Sequence, residues 1–455
     1  MGQILSQPVT EKHSESDASK HLAYGLSLMQ GWRINMEDAH ATILDFSDSG
    51  SAGNSTEKSA EEALVAFFGV YDGHGGDKVA IYTGKHLHDI IRGTEAFAKK
   101  DYIGALKQGF LNCDQNILRD EDMKDDDSGC AATSVIITQE SIICGNAGDS
   151  RTVMSVNGFA KALSFDHKPL NEGEKARICS AGGYVDMGRV NGNLALSRGI
   201  GDFEFKKNLD LPAEEQIVTC YPDVILHPLD LSADEFVILA CDGIWDCLTS
   251  QHCVECVRRG IYERKPLTQI SEEIMELCCA PTSDGLGIGC DNMSIVIVAL
   301  LDASRNETLD EWYEKIIARV DANDPKYGPI SSPYNEMYKQ MYGEYFEIGQ
   351  QGNQPSRGGG GAGGQNSMFG GLSGLGQFKP EEEEAEDDQQ QDGEANGAIS
   401  LQKLLASNAI TNENGVIYLD TSSAQSLLAH FGMSEDQEND KIEEERESES
   451  DDKET

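Results

Sequence analysis

Short apolar runs alternate with amphipathic stretches as far as Tyr345, and beyond it the pattern fades. Residues 65–71 carry no charge and read as a strand buried on both faces, which stops abruptly at Asp72, Gly73, His74, Gly75 and Gly76. Residues 236–241 repeat this design and end at Asp242, whereas a third apolar run, 293–301, begins just after Asp291. Residues 23–29 read as a further strand, and 133–138, 141–147 and 151–156 as a meander of three short ones. Helical spacing of apolar residues predicts helices over 77–91, 101–118, 171–181, 250–261, 267–279, 308–320 and 332–345. Strands that follow one another without a helix between them pair antiparallel, so the expected class is α+β.

Composition divides the chain further. One large core is expected over residues 21–302, preceded by a flexible polar arm, 1–20, and followed by a helical extension, 303–348. From 349 the chain is first Gly/Gln-rich and then acidic, so 349–455 cannot bury a core and reads as a disordered acidic tail. Within it, residues 400–433 keep a faint apolar pattern around Leu401, Leu404 and Leu405, which fits either a partner-binding helix or a residual collapsed patch. The formal net charge is −43, and residues 381–455 hold 23 Asp+Glu against 4 Lys+Arg. Such a balance repels phosphodiester backbones and opposes self-association, so nucleic acid is excluded as a ligand and a monomer is expected.

Twelve cysteines, with no secretory signal or membrane-spanning run, point to a reducing compartment, with the cytoplasm and nucleus as expected locations. Cys253 and Cys256 lack a second pair at metal-ligand spacing and read as buried small residues of a helix. Gly2, followed by Ser6, matches an N-myristoylation pattern; one acyl chain without a polybasic partner supports only transient membrane contact. The glycosylation patterns at Asn54, Asn292 and Asn306 carry no weight without a secretory route. The acidic stretch 120–127 is not a calcium loop, since Asp125 stands where a Gly is needed and Ala131 where a Glu is needed.

The chemistry lies at the strand ends. Asp72 and Asp242 follow apolar strands and Asp291 precedes one; in an antiparallel sheet such ends are neighbours, so the three acids are expected at one sheet edge. Clustered carboxylates without Cys ligands favour hard divalent cations, Mg²⁺ or Mn²⁺, and two such ions can activate a water and clamp an in-line displacement at phosphorus. His74 adds a titratable imidazole, Arg33 stands close to Glu37 and Asp38, and the Gly-rich stretch through Asp202 is a candidate lining.

Seven segments carry a resemblance: Gln30-Gly-Trp-Arg33 through Met36-Glu-Asp38, Tyr71-Asp-Gly-His-Gly-Gly76, Gly148-Asp-Ser-Arg151, Asp166-His-Lys-Pro169, 189–198, Ala240-Cys-Asp-Gly-Ile-Trp-Asp246 and Cys290-Asp-Asn-Met293. In this order, over roughly residues 20–302, they resemble the motifs of the metal-dependent type 2C protein serine/threonine phosphatases, fungal members in particular. The resemblance implies a four-layer sandwich of two antiparallel sheets flanked by helices, with metals held between the sheets. It implies that Asp72 bridges two Mg²⁺ or Mn²⁺ ions and that Gly73 lends a backbone carbonyl. Asp242 and Asp291 then ligate, and Glu37 and Asp38 complete the site, one or both of them through waters. Arg33 resembles the phosphate clamp and His74 the general acid, while Asp149 and Asp246 look like acids of a weaker third site. The implied substrates are phosphorylated proteins, with signalling kinases of stress and cell-cycle pathways expected among them.

Overall fold

The computed structural model describes residues 4–47, 64–123, 125–283, 287–322, 410–413 and 416–419. Gly2 and the expected helix over 332–345 lie outside them, as does the tail apart from its last two described segments. The chain enters through β1 (Ile4–Ala18), β2 (Leu22–Arg33), β3 (Ala39–Ile43) and β4 (Val65–His74). Three helices follow, α1 (Lys78–Arg92), α2 (Glu95–Ala98) and α3 (Tyr102–Arg119), and then β5 (Gly129–Thr138), β6 (Ser141–Ala147), β7 (Arg151–Val156) and β8 (Phe159–Ala162).

An irregular insert carries α4 (Glu172–Ser180) and the short strands β9 (Val185–Asp186), β10 (Arg189–Val190) and β11 (Ile200–Gly201). The chain then returns through β12 (Asp223–Pro228), β13 (Asp234–Ala240), α5 (Asp242–Trp245), α6 (Ser250–Tyr262), α7 (Leu267–Cys278), β14 (Met293–Leu300) and α8 (Leu309–Ala322).

Two antiparallel sheets result, one in the order β1-β2-β14-β13-β7-β8 and the other β12-β6-β5-β4-β3, with β11 beside β5. Successive side chains of a strand point to opposite faces, and both faces of each sheet are covered. Ala66, Phe68 and Val70 of β4 meet Leu26, Val237, Leu239, Val296 and Val298 between the sheets. Phe67 and Tyr71 turn the other way, onto Val79 and Leu87 of α1 and Leu106 and Phe110 of α3. On the outer face of the first sheet, Phe236, Ile238 and Ile297 pack against Val257, Ile270, Ile274 and Trp312 of α6, α7 and α8. This four-layer arrangement explains why the runs 65–71, 236–241 and 293–301 carry no charge: no face of them is left for water. Cys253 and Cys256 are buried in that outer layer, as their helical setting predicts, and none of the twelve cysteines is in a disulfide.

Three sequence expectations change. Residues 4–18 are not a flexible arm, because β1 pairs along β2 from Ile4↔Arg33 to Ala18↔Ala23. An edge strand needs only main-chain hydrogen bonds on one side, so its polar composition conceals it; Lys12 and Ser14 also bond Glu276 and Glu272 of α7, at 2.7 and 2.6 Å. The meander breaks after β6, since β7 crosses to the other sheet and pairs with β13 and β8. Gly148, with φ of 126°, makes that crossover, and its neighbour Asp149 is carried to the space where the sheets meet. Lastly, Asp72 does not share a sheet edge with Asp242 and Asp291: β13 and β14 are neighbours in one sheet, but β4 belongs to the other.

The chain divides into two units, 1–357 and 358–455. In the second, residues 410–413 and 416–419 form an antiparallel hairpin, so this part of the 400–433 segment is strand rather than helix. Among the described residues no helix is long and apolar enough to cross a membrane.

Candidate metal centre

At one end of the sandwich the main chain packs too closely for side chains at two positions. A Cβ on Gly73 would lie 2.2 Å from the Glu37 carbonyl oxygen, and one on Gly243 would lie 2.0 Å from that of Asn292. Both glycines are there for close approach of backbones, which brings the ends of β4, β13 and β14 together. Asn292 ties the remaining loop in place. Its Nδ2 donates to the Gln30 and Asn35 carbonyls at 2.8 and 2.9 Å, and its Oδ1 accepts from the Glu37 amide at 2.9 Å.

The carboxylates converge on this junction. Oxygens of Asp72, Asp149 and Asp242 lie within 4.8 Å of one another, and so do ligand atoms of Asp38, Asp72 and Cys241. Glu37, Asp246 and Asp291 belong to neither group among the described residues. The Asp242 amide is 3.4 Å from Asp72 Oδ2. Asp38 accepts from Ser294 Oγ at 2.6 Å through Oδ2, while its buried Oδ1 has no partner.

Burial, then the charges of Asp242, Asp38, Asp291 and Asp149, hold the Asp72 carboxyl well above its usual range. Asp242 is raised the same way, by burial and then by Asp149, Asp291 and Asp246. Asp38 is pushed up to about 7, chiefly by burial, with the Ser294 hydrogen bond opposing. Asp246 is also raised, by burial against the pull of Lys168. Buried acids that repel one another and leave an oxygen without a partner call for positive charge. The Cys241 thiol is raised well above its ordinary value by burial and by the neighbouring acids, so it offers no thiolate. An all-oxygen donor set of this kind fits a hard divalent cation.

Two other groups frame the acids. Arg33, at the end of β2, donates from Nη2 to Asp291 Oδ2 at 2.5 Å, and its side chain remains 38% exposed. His74 closes β4, with Nε2 2.8 and 2.9 Å from the two oxygens of Asp202. Burial alone would lower the His74 pKa, but the Asp202 charge and hydrogen bond, aided by Asp149 and Glu37, raise it.

Asp202 sits in the left-handed region, φ 51°, and is held from both sides. The Gly201 amide and the Lys206 ammonium both bond Asp114 of α3, at 2.9 and 2.6 Å, and a Cβ on Gly129 would come within 2.3 Å of the Asp202 carboxylate. Lys168 completes the picture, donating to Asp149 Oδ2 at 2.6 Å.

The structure therefore gathers Asp38, Asp72, Asp149 and Asp242, with Asp291 engaged by Arg33. Sequence reasoning missed four residues at this site. In the sequence Asp202 stands only at the end of a Gly-rich candidate lining, and nothing local links it to His74. Asn292 was visible as a failed glycosylation pattern, Lys168 as part of Asp166-His-Lys-Pro169, and Cys241 as the last residue of an apolar run; each takes its role from a partner distant in sequence.

A four-layer sandwich with buried acids between its sheets, an arginine fork and an acid-backed histidine at the rim, defines a metal-dependent phosphoryl hydrolase. Comparison places it within that class. The sequence pattern of the family Protein phosphatase 2C matches residues 22–285, more than half of the chain, and the chain belongs to that family. It is 53% identical over 334 residues to Protein phosphatase 2C homolog 2 of Schizosaccharomyces pombe, covering 73% of this chain and 86% of that one. Protein phosphatase 2C homolog 2 of Saccharomyces cerevisiae is 54% identical over 70% of this chain and 67% of its own. The crystal structure of serine-threonine phosphatase 2C from Toxoplasma gondii shares the fold, with a TM-score of 0.53 at 19% identity, over 64% of this chain and 99% of that one. The protein is a metal-dependent serine/threonine protein phosphatase of fungal kind.

Proposed function

We propose that the protein hydrolyses phosphoserine and phosphothreonine in signalling proteins, kinases among them, at a site holding two Mg²⁺ or Mn²⁺ ions. The observation that carries this reading is the convergence of mutually repelling carboxylates, those of buried Asp38 and half-buried Asp72 and Asp242, beside Arg33 and His74. Asp72 would serve both ions, with the Gly73 carbonyl, Asp242 and Asp291 as further ligands and Glu37 and Asp38 acting through waters; Asp149 and Asp246 would offer a weaker third site. Bound cations supply Lewis acidity, neutralising phosphoryl charge and making a water acidic enough to attack.

The chain's own residues do the rest. Arg33 is a planar, permanently charged fork suited to a phosphate dianion, and Asp291 holds it in place. His74 protonates the departing Ser or Thr oxygen, a leaving group poor enough to need it. Asp202 orients the ring and favours its protonated form. Asn292 fixes the loop that bears Arg33, Glu37 and Asp38. Action as a monomer in the cytoplasm and nucleus, with transient membrane contact through an acylated Gly2, completes the proposal and rests on composition and the Gly2 pattern alone.

The test is turnover of a phosphothreonine peptide by protein stripped of metal. Activity should appear only with added Mn²⁺ or Mg²⁺ and vanish in EDTA, and calorimetry should count two tight ions. Full activity in chelator would overturn the reading. Comparing phosphoproteomes of wild-type and Asp242→Asn cells identifies substrates; if no kinase gains phosphorylation, that part of the proposal is wrong.

A further inference from the structure

The insert between β8 and β12 touches the acid cluster through one cation. Two turns far apart in sequence are locked together there. The Gly148 amide donates to His167 Nδ1 at 3.2 Å, and the His167 amide donates back to the Gly148 carbonyl at 2.9 Å. Asn146 Nδ2 bonds the carbonyls of both Gly148 and Phe165, at 3.1 and 3.2 Å. Arg151 grips Asp166 with Nε and Nη2, each at 2.8 Å, and His167 Nε2 is 3.0 Å from Asp223 Oδ2. Residues 146–151 and 165–168 thus behave as one rigid piece. Lys168 is delivered onto Asp149 by this clamp rather than by a chance meeting of surface side chains.

Asp149 is shared property. Its carboxylate stands within 4.8 Å of ligand atoms on Asp72 and Asp242, yet its Oδ2 is taken by the Lys168 ammonium. The ammonium occupies one lone pair of that oxygen, and its charge repels a divalent ion brought to the same carboxylate.

We propose that Lys168 is a tethered counter-cation that competes with a third divalent ion for Asp149. The inference rests on the metal-centre reading above. With two ions bound, Lys168 neutralises Asp149 and pins the insert to the site; a third ion displaces it and releases that tie. Removing a charge-assisted hydrogen bond of this kind should tighten third-ion binding about tenfold to a hundredfold.

Mn²⁺ titration calorimetry on the full chain provides the test, with the Lys168→Met/Asp149→Asn double variant subtracting ions held loosely by the acidic tail. Lys168→Met should show a third class of site at least about tenfold tighter than wild type, with the two tight sites little changed. Lys168→Arg, which keeps the charge, should resemble wild type. A Lys168→Met isotherm that superimposes on wild type would overturn the proposal, leaving Lys168 a structural ion pair. Absence of even the two tight sites in wild type would overturn the metal-centre reading and this inference with it.

A second measurement needs no variant: amine labelling of Lys168, read by mass spectrometry across the Mn²⁺ titration. Labelling should rise as the third ion binds, and a rate independent of Mn²⁺ would contradict competition.

Discussion

Glu174 of α4 and Asp38 of the loop before β3 are buried to nearly the same degree, 6% and 8% exposed. Their electrostatics are opposite. Burial by itself would raise both, but Glu174 receives Arg198 through Nε and Nη2, Arg177 through Nη1 and Ser197 through its hydroxyl, and its pKa falls to about 2. Asp38 has a single hydroxyl donor, faces other acids, and is pushed up to about 7. Partners, not depth, separate the two. The paired cluster is a structural knot that holds the insert together, whereas the unpaired one stores repulsion that incoming cations relieve.

The strongest attempt to break this contrast is Asp242→Asn. Losing a ligand should lower turnover by about 10³-fold or more. In EDTA the same variant should melt a few degrees higher than wild type, because one mutually repelling charge is gone. A lower melting temperature in chelator would show that the acids stabilise the fold rather than strain it.

His74 and Asp202 sharpen the contrast at the rim of the site. His74→Ala should cost about 10²- to 10⁴-fold on a phosphothreonine peptide, with a far smaller loss on p-nitrophenyl phosphate, whose leaving group departs without a proton. Asp202→Asn should show the same substrate dependence at smaller amplitude. Equal losses on both substrates would remove His74 from the role of general acid.

On the paired side, Glu174→Gln leaves the half-buried Arg177 and Arg198 with weakened compensation and should destabilise by about 3 kcal/mol in a denaturant melt. The two acids should also respond oppositely to pH. Glu174, depressed from 4.5 to about 2, contributes stability that is present above about pH 4.5 and lost as pH falls towards 2. Asp38, raised from 3.8 to about 7, favours the folded state below about pH 4, and that contribution is lost as pH rises to 7. Thermal melts in EDTA should therefore show stability declining between those values. Asp38→Asn should flatten the decline and Mn²⁺ should abolish it; a decline unchanged in the variant would assign it to another group.

The smallest effect is expected from the chain end. A protein ending near Tyr345 should keep its turnover on a small substrate, since every site residue lies before it, whereas one ending before α8 should unfold more readily. Trp312 donates to the Glu235 carbonyl at 3.1 Å, and Arg319 bonds the buried Glu235 carboxylate at 3.0 Å. Collapse of turnover on removing residues 346–455 would make the tail part of the site.

Much of this was legible in the sequence because burial on both faces leaves a direct mark. The uncharged runs of β4, β13 and β14 exist because both faces of each strand are covered, and Asp72, Asp242 and Asp291 stand out as the charges that interrupt them. Motif order then carried the family, and it pointed to Arg33 and His74 as the groups to test. Where a residue's setting depends on a partner far along the chain, local pattern had nothing to report. β1 is polar because an edge strand is held by main-chain bonds, and β7 follows β6 in sequence yet joins the other sheet across a Gly148 turn.

The pairs His74 with Asp202, Lys168 with Asp149, and Asn292 with the Gln30–Glu37 loop span 128, 19 and about 260 positions. The sequence by itself determined which residues could not face water and which acids break the runs. Only the tertiary structure decided which buried charges found a partner and which were left to wait for a metal, because pairing energy depends on distance in space and periodicity records only distance along the chain.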